Sequence, residues 1–411
     1  MINPKTFSKY CVYISVFLVP FYIFRFKVFG VPTNILEVSV LVSFISTIYF
    51  LLRDRQKLVF GPIWPYLFLL CAMISTFIAG DRLQALGVLK GWFAAPIIMY
   101  LLVINLFKAD EVKKLSISFF ASMMIVSVWA ILQKMRIIGA LFYQTQDIEI
   151  VQYMQHPLRA LGPFNSPNFL AMYLAPMIFL SIPIFQFVKT RYKKVVLLLT
   201  FIIPSVAIYF SGSRAGLLAL IAGAMVYVIN EFVWHKNKKA LFVALALGIV
   251  LVYGLYGFLN TKDSSRAISN SSRLVIYHYS VELIKQRSIL GVGLGEYHQA
   301  VDVITKDDGD FQFYKLPYAV HPHNVFLAMW LNLGLAGFIV FLIILIRFYR
   351  YEIYSRDRFQ AGLVLSAMTA ILIHGLFDTT YFKNDLSMIF WLIIAIKIIY
   401  EKKEHEIIAK V

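Results

Sequence analysis

The stretch HNVFLAMWLNLGLAGFIVFLIILI, His323 to Ile346, contains no Asp, Glu, Lys or Arg. A helix rises 1.5 Å per residue, so about 20 apolar residues cross the roughly 30 Å hydrocarbon layer of a bilayer. This stretch is long enough, and besides His323 and Asn324 at its first turn its one strongly polar residue is Asn332. Working outward from it, further apolar runs are read at 10–29, 35–52, 62–80, 83–107, 115–135, 168–188, 193–211, 215–233, 240–259, 359–377 and 386–400. Together they predict an all-α integral membrane protein with about twelve transmembrane helices, a single transmembrane domain over 1–411.

Composition leads to the same class. Of 411 residues, 60% are hydrophobic and 15% charged, with a mean hydropathy of +0.73. Soluble domains are about 45–50% apolar and about 25% charged, so lipid must solvate part of this surface. The two cysteines, Cys11 and Cys71, lie in apolar runs, which excludes a disulfide framework and a Cys-based metal site. The net charge of +17 does not mark a nucleic-acid face, because the basic residues are spread over short loops. No cleavable leader is expected: the run Tyr10 to Phe24 lacks a small-residue cleavage site.

Those loops set the expected orientation. With the N-terminus in the cytoplasm, 23 of the 39 Lys and Arg fall on the cytoplasmic side. Of the 16 on the other side, ten lie in two long connections, Lys134 to Pro167 and Asn260 to Pro322, leaving six in short ones. Short loops carry the positive-inside signal, so both termini are expected in the cytoplasm and both long loops outside. Within the outer loop 260–322, Arg273 to Ile289 reads as an amphipathic helix on the membrane surface, with Leu274, Tyr277, Leu283 and Ile284 at helical spacing. Gly291, Gly293 and Gly295 then break it. Lys306-Asp-Asp-Gly-Asp310 lacks the ligand spacing of a calcium loop.

This orientation collects the notable polar residues at one face: Arg159, Asn168, Arg214, Arg273, His323, Asn324, His374 and Asp378, with Lys90 and Glu37 also near outer ends. Ionisable groups at membrane depth invite a functional reading. Each has a plainer one. Arg214 could snorkel, although its loop Ser211-Gly-Ser-Arg214 is short enough to hold the guanidinium at the bilayer boundary. Arg273 could be a solvated helix charge, and His323 a helix-start histidine. Arg159 and the asparagines could cap the span that Pro167 opens, and Asp378 could pair with a nearby arginine. His298 and His321 read as solvent-facing.

His323-Asn324, nine residues, then Gly334-Leu-Ala-Gly337 resembles the signature of the O-antigen ligase family, the WaaL or Wzy-C-type superfamily. So do Arg159-Ala-Leu-Gly162-Pro-Phe-Asn165-Ser-Pro-Asn168, Ser211-Gly-Ser-Arg214-Ala-Gly216, and Arg273 followed by Leu290-Gly-Val-Gly-Leu-Gly295, in the same order. The resemblance covers a core of about 155–380. It implies a GT-C-type membrane glycosyltransferase that takes a glycan from an undecaprenyl-diphosphate carrier, with neither metal nor other cofactor. The acceptor would be a lipid A–core sugar or another glycan, and the location the bacterial cytoplasmic (inner) membrane. The family's functional residues match Arg214, Arg273 and His323, and its late acidic residue corresponds to Asp378. His323 is then the expected general base and the two arginines the expected diphosphate clamps. Arg159, Asn168, Asn324, Asp378 and Lys90 are the expected substrate contacts, and direct attack would invert the anomeric centre. A repeat-unit polymerase of the same superfamily shares the motifs. A flippase or transporter is the rival from another class, but it predicts charges near the midplane and inverted repeats, and neither is seen.

Overall fold

A computed structural model describes residues 3–28, 30–139, 158–234, 264–306, 321–352 and 358–408. The expected span at 240–259 and the Asp307–Asp310 turn lie outside the described residues. The helices are α1 (Pro4–Phe17), α2 (Ile35–Arg53), α3 (Trp64–Ile78), α4 (Arg82–Val88), α5 (Ala95–Leu106), α6 (Ala109–Val112), α7 (Leu115–Lys134) and α8 (Pro167–Ser181), then α9 (Thr190–Ser211), α10 (Arg214–Trp234), α11 (Ser264–Gln286), α12 (Tyr297–Ile304), α13 (Val325–Glu352), α14 (Arg358–Gly375) and α15 (Asn384–Ile408). Among the described residues, seven helical stretches are long and apolar enough to cross a membrane: Ile35–Arg53, Arg82–Leu106, Ala109–Lys134, Pro167–Phe187, Thr190–Ser211, Arg214–Glu231 and Val325–Arg350. α3 is apolar but shorter.

Two expectations are corrected. The first apolar run is not one helix over 10–29. α1 starts at Pro4, where proline costs no hydrogen bond, and stops at Phe17; a 3-10 turn, Val19–Ile23, follows around Pro20. The chain then forms a hairpin of β1 (Arg25–Val28) and β2 (Val31–Asn34), paired antiparallel with Arg25 opposite Asn34 and Val28 opposite Val31. The described structure is therefore helical with one small ribbon. Arg25 and Lys27 are exposed there, which two charges two residues apart favour over burial in lipid.

Second, the helix expected at Arg273 begins at Ser264. Its buried stripe is Ile276, Ser280 and Leu283, whereas Leu274 is 70% exposed. The stripe packs on Val292, Tyr297, Val301 and Leu331, and the Ser280 and Tyr297 hydroxyls meet at 2.8 Å. Protein, as well as any lipid surface, thus holds α11.

Small side chains let the spans approach. At Gly223 in α10, a methyl group would run into the Phe179 ring of α8 and the Ser366 carbonyl of α14. Between α1 and α2, the buried hydroxyls of Ser15 and Ser43 pair at 3.0 Å. The centre is aromatic. Phe68, Phe93, Phe341, Tyr381, Phe390 and Trp391 interlock, with Phe68 edge-on to Tyr381 at 5.7 Å between centroids. The Tyr381 hydroxyl donates to the Trp92 carbonyl (2.9 Å) and accepts from the Trp391 indole (3.0 Å). That anchor fixes the loop between α14 and α15, which carries Asp378.

α13 is broken at Gly334, whose φ of 68° and ψ of −177° are essentially confined to glycine. The break exposes carbonyls that a continuous helix would satisfy internally. The glycine loop after α11 takes them over: Val292 N–H donates to Leu331 O (2.8 Å), and Leu335 N–H donates back to Ile289 O (3.0 Å). Gly295 N–H bonds the Asn332 side chain (2.9 Å), and the Ser75 hydroxyl donates to Asn332 O. Glycine is required on both sides. A side chain at Gly334 would strike the Ile289 carbonyl, and one at Gly291 the Leu331 carbonyl.

Candidate functional site

His323 immediately precedes α13 and holds a left-handed backbone, φ 47°, unusual for a residue with a side chain. Its neighbour Asn324 starts the helix: the Asn324 Oδ1 accepts from Phe326 N (2.9 Å) and Leu327 N (3.1 Å). The Asn324 Nδ2 donates to Leu376 O at 3.1 Å. Its amide is thereby committed to binding α13 to the end of α14, which fixes the place of His323.

Asp378 is 2% exposed and collects the polar groups around it. Its Oδ1 lies 3.2 Å from His323 Nδ1 and accepts from Thr379 N at 2.9 Å; its Oδ2 accepts from Asn168 Nδ2 at 3.2 Å. Burial alone would raise this carboxyl. The charge and hydrogen bond of His323, then His321 and Arg273, outweigh it and hold the carboxyl well below the usual carboxylate range. An ionised carboxylate only accepts, so the hydrogen of this bond sits on His323 Nδ1, and Nε2 is the ring nitrogen that Asp378 does not engage.

Asn168, at the start of α8, passes the network on. Its Oδ1 faces the Arg159 guanidinium at 3.5 Å, and Arg159 Nε donates to Ser211 O at 2.7 Å. That carbonyl belongs to the turn before α10. Gly212 there is left-handed, φ 64°, and packs against the Arg159 side chain. Ser213 caps α10, its Oγ accepting from Gly216 N at 3.3 Å. Arg214 is therefore the first residue of a 21-residue helix, where the helix dipole already favours an anion. Arg273 comes from the other side. One turn after it on α11, the Tyr277 hydroxyl bonds the carbonyls of His323 (3.0 Å) and Leu376 (3.2 Å). Arg273 itself interacts electrostatically with Asp378, His374 and Tyr277.

Two residues that sequence reasoning passed over lie in this cluster. His321 was read as solvent-facing, but its Nε2 is 3.9 Å from Asp378 Oδ1 and its ring meets that of His323 edge-on at 4.3 Å. Burial, then His323, push its pKa down to about 4, with Asp378 opposing. Lys383 was counted only as a loop charge. Its Nζ donates to Asn165 Oδ1 at 2.9 Å and sits 3.2 Å from the centroid of the Phe169 ring. Burial draws its pKa down to about 7, against the pull of Asp385.

His374, one turn before Asp378, is buried, and neither ring nitrogen has a hydrogen-bond partner among the described residues. Lys90 lies in a second polar cluster. It pairs with Glu37 at 2.8 Å and donates to Pro32 O, while Asn384 bonds both Glu37 and Trp92. His321, His323 and Asp378 offer one donor atom each within 4.8 Å of one another, the set among the described residues that could hold a metal ion. The His323–Asp378 hydrogen bond already satisfies two of these donors.

The arrangement brings a histidine held by a carboxylate together with the Arg159 and Arg273 side chains and, through the Ser211 carbonyl, with the turn that precedes Arg214. It can take a proton from a hydroxyl while stabilising developing anionic charge.

The Wzy_C family model, described as O-antigen ligase, matches residues 199–342. A Rickettsia conorii protein named "Putative polysaccharide ligase" is 28% identical over 163 residues, 38% of this chain and 39% of that protein. A Rickettsia bellii protein of the same description is 28% identical over 152 residues, 35% of this chain and 37% of its own length. The chain thus aligns with about two fifths of the length of these curated relatives. The resemblance carried by the sequence motifs holds: over residues 199–342, the part with Arg214, Arg273 and His323, the chain matches the O-antigen ligase family.

Proposed function

We propose that the protein is a membrane glycosyltransferase that moves a glycan from undecaprenyl diphosphate to an acceptor sugar hydroxyl, at the outer face of a bacterial cytoplasmic membrane. The observation that carries this reading is the His323–Asp378–Asn168–Arg159 chain of hydrogen bonds, bordered by Arg273 and by the α10 N-terminus with Arg214.

In the reaction, the acceptor oxygen attacks the anomeric carbon while the bond from that carbon to the diphosphate oxygen breaks. The bonding pair leaves with the diphosphate. His323 Nε2 takes the acceptor's proton, and the Asp378 carboxylate orients the ring and stabilises the imidazolium. Arg214, Arg273 and the N–H groups opening α10 receive the charge that grows on the phosphate oxygens. Arginine suits this role because it is always charged and donates in a fork. Arg159 and Asn168 hold the clamp and the base in register, and Lys383 adds a cation beside them. A single displacement inverts the anomeric centre and uses no metal. Transfer of a finished glycan to a terminal acceptor leads on the complete His323-Asn324…Gly334-x-x-Gly337 spacing, while repeat-unit polymerisation shares the same residues and is separated from it by the mass of the product.

The test is reconstitution of the purified chain with a defined undecaprenyl-diphosphate glycan and candidate acceptors, with products read by mass. His323→Ala is expected to lower transfer by about 10²–10⁴-fold and Arg214→Ala by about 10²–10³-fold, with normal membrane insertion. Chelator is expected to leave the rate unchanged. Full activity in His323→Ala, or activity lost to chelator and restored by a divalent ion, would overturn the mechanism.

A further inference from the structure

At the end of α13 remote from His323, a cavity of about 510 Å³ opens between the start of α3, the last turns of α13 and the middle of α15. Its walls are apolar, including Trp64, Ile344, Phe348, Trp391 and Ile394, and its rim carries Arg347, Arg350, Lys397 and Glu401. The rim charges do not cancel. Lys397 forms an ion pair with Glu401 and donates to Arg347 O at 3.2 Å. Arg347 and Arg350 are exposed, stand three apart on one helical face, and have no acidic partner among the described residues. The Arg347 guanidinium rests against the Trp64 ring, 5.8 Å from its centroid, which holds it at the mouth of the cavity.

We infer that this cavity is a binding site for an anionic phospholipid of the adjoining leaflet. Two guanidiniums three residues apart form a phosphate-binding fork at headgroup level. The apolar walls below suit an acyl chain and give a soluble anion nothing to bury. Trp64 supplies the interfacial aromatic that borders such sites. A zwitterionic headgroup leaves the net charge of the two arginines uncompensated, so the site selects for negative lipid, as basic pockets between membrane helices do. None of these residues belongs to the proposed transfer machinery, so the site stands or falls separately from it.

The experiment uses the full purified chain. Lipid retained through purification is measured by native mass spectrometry, and melting temperature is followed on adding phosphatidylglycerol, cardiolipin, phosphatidylcholine or inorganic phosphate. The expected result is retention of anionic lipid above its share of the source membrane, and stabilisation by phosphatidylglycerol or cardiolipin but not by phosphatidylcholine or free phosphate. The double variant Arg347→Gln, Arg350→Gln should bind phosphatidylglycerol about thirtyfold more weakly and keep its lipid-free melting temperature. If the double variant does not accumulate, Arg350→Gln alone is measured and should show a smaller loss in the same direction. Equal stabilisation by phosphatidylcholine, an equal effect of free phosphate, or undiminished phosphatidylglycerol binding in the arginine variant would overturn the site.

Discussion

Among the described residues Asp378 has three hydrogen-bond partners, and each fixes something different. Thr379 N fixes its rotamer, Asn168 ties it to the α8 start, and His323 Nδ1 receives its orientation from it. Replacing it with Asn keeps the shape but offers an amide N–H where a carboxylate oxygen accepted. Asp378→Asn is therefore expected to cost about 10²–10⁴-fold in turnover, with little change in donor affinity; a wild-type turnover number would remove Asp378 from the relay. His321 yields a pH prediction with a definite sign. Its folded-state pKa of about 4 lies below the imidazole's ordinary 6.5, so between these values the unfolded chain binds a proton that the folded chain refuses. Stability from this group is complete above pH 6.5 and is lost as pH falls toward 4. Asp378, also lowered, adds its own loss only below its ordinary 3.8. The melting temperature should drop from pH 7.5 to pH 5, and His321→Asn should flatten that slope. At this scale the sequence was only partly legible. His323 and Asp378 could be singled out because polar groups at membrane depth are costly. His321 and Lys383 could not, because neither belongs to a periodic apolar pattern, and only the fold brings them beside Asp378 and Asn165.

At the scale of elements, the break in α13 joins the glycine loop after α11 to the bundle. Four hydrogen bonds cross it, from Val292, Gly295, Leu335 and Ser75, and two of the residues that meet there are glycines with no space for a side chain. Gly334→Ala forces a Cβ into the Ile289 carbonyl and into a backbone region that costs on the order of 1–3 kcal/mol even without a clash. It should lower the melting temperature and uncouple α11, carrying Arg273 away from His323, so that transfer falls with stability. Gly87→Ala, at an exposed helical position with open space around it, should raise stability slightly and serves as the control. Equal melting temperatures for Gly334→Ala and wild type would show that the break is dispensable. The apolar runs announced most helices because a span must satisfy its backbone internally and face lipid along its length. The hairpin at Arg25–Asn34 was missed for the complementary reason. Its residues are apolar enough to extend a run, and only Pro20, Arg25 and Lys27 mark where the helix must stop. The Gly-x-x-Gly spacing was readable as a motif, but the carbonyls freed at Leu331 and Asn332 have their partners at Val292 and at Ser75, 257 residues before Asn332, which no local pattern predicts.

For the whole molecule, the distribution of charge makes a claim that the fold alone does not test. The bundle puts the His323 cluster at one end and the Arg347–Arg350 cavity at the other, since α13 begins beside His323 and runs through both. Lys9 pairs with Glu111 at 2.5 Å and Lys403 with Asp110 at 3.0 Å, so the first turns of α1, the short helix α6 and the tail of α15 share an end. That end carries the short-loop Lys and Arg, and a positive-inside arrangement puts it in the cytoplasm. A transferase fed by a donor already flipped across the membrane needs the His323 end outside, so orientation and mechanism make one joint prediction. With Cys11 and Cys71 first replaced by Ser, Gln56→Cys and Ser288→Cys give one exposed thiol at each end. A membrane-impermeant maleimide applied to intact cells should label Ser288→Cys and spare Gln56→Cys until the membrane is permeabilised. The reverse pattern would put the imidazole and its guanidiniums on the cytoplasmic side, where a flipped donor does not reach, and the proposed reaction would have to be abandoned even if His323 proved essential.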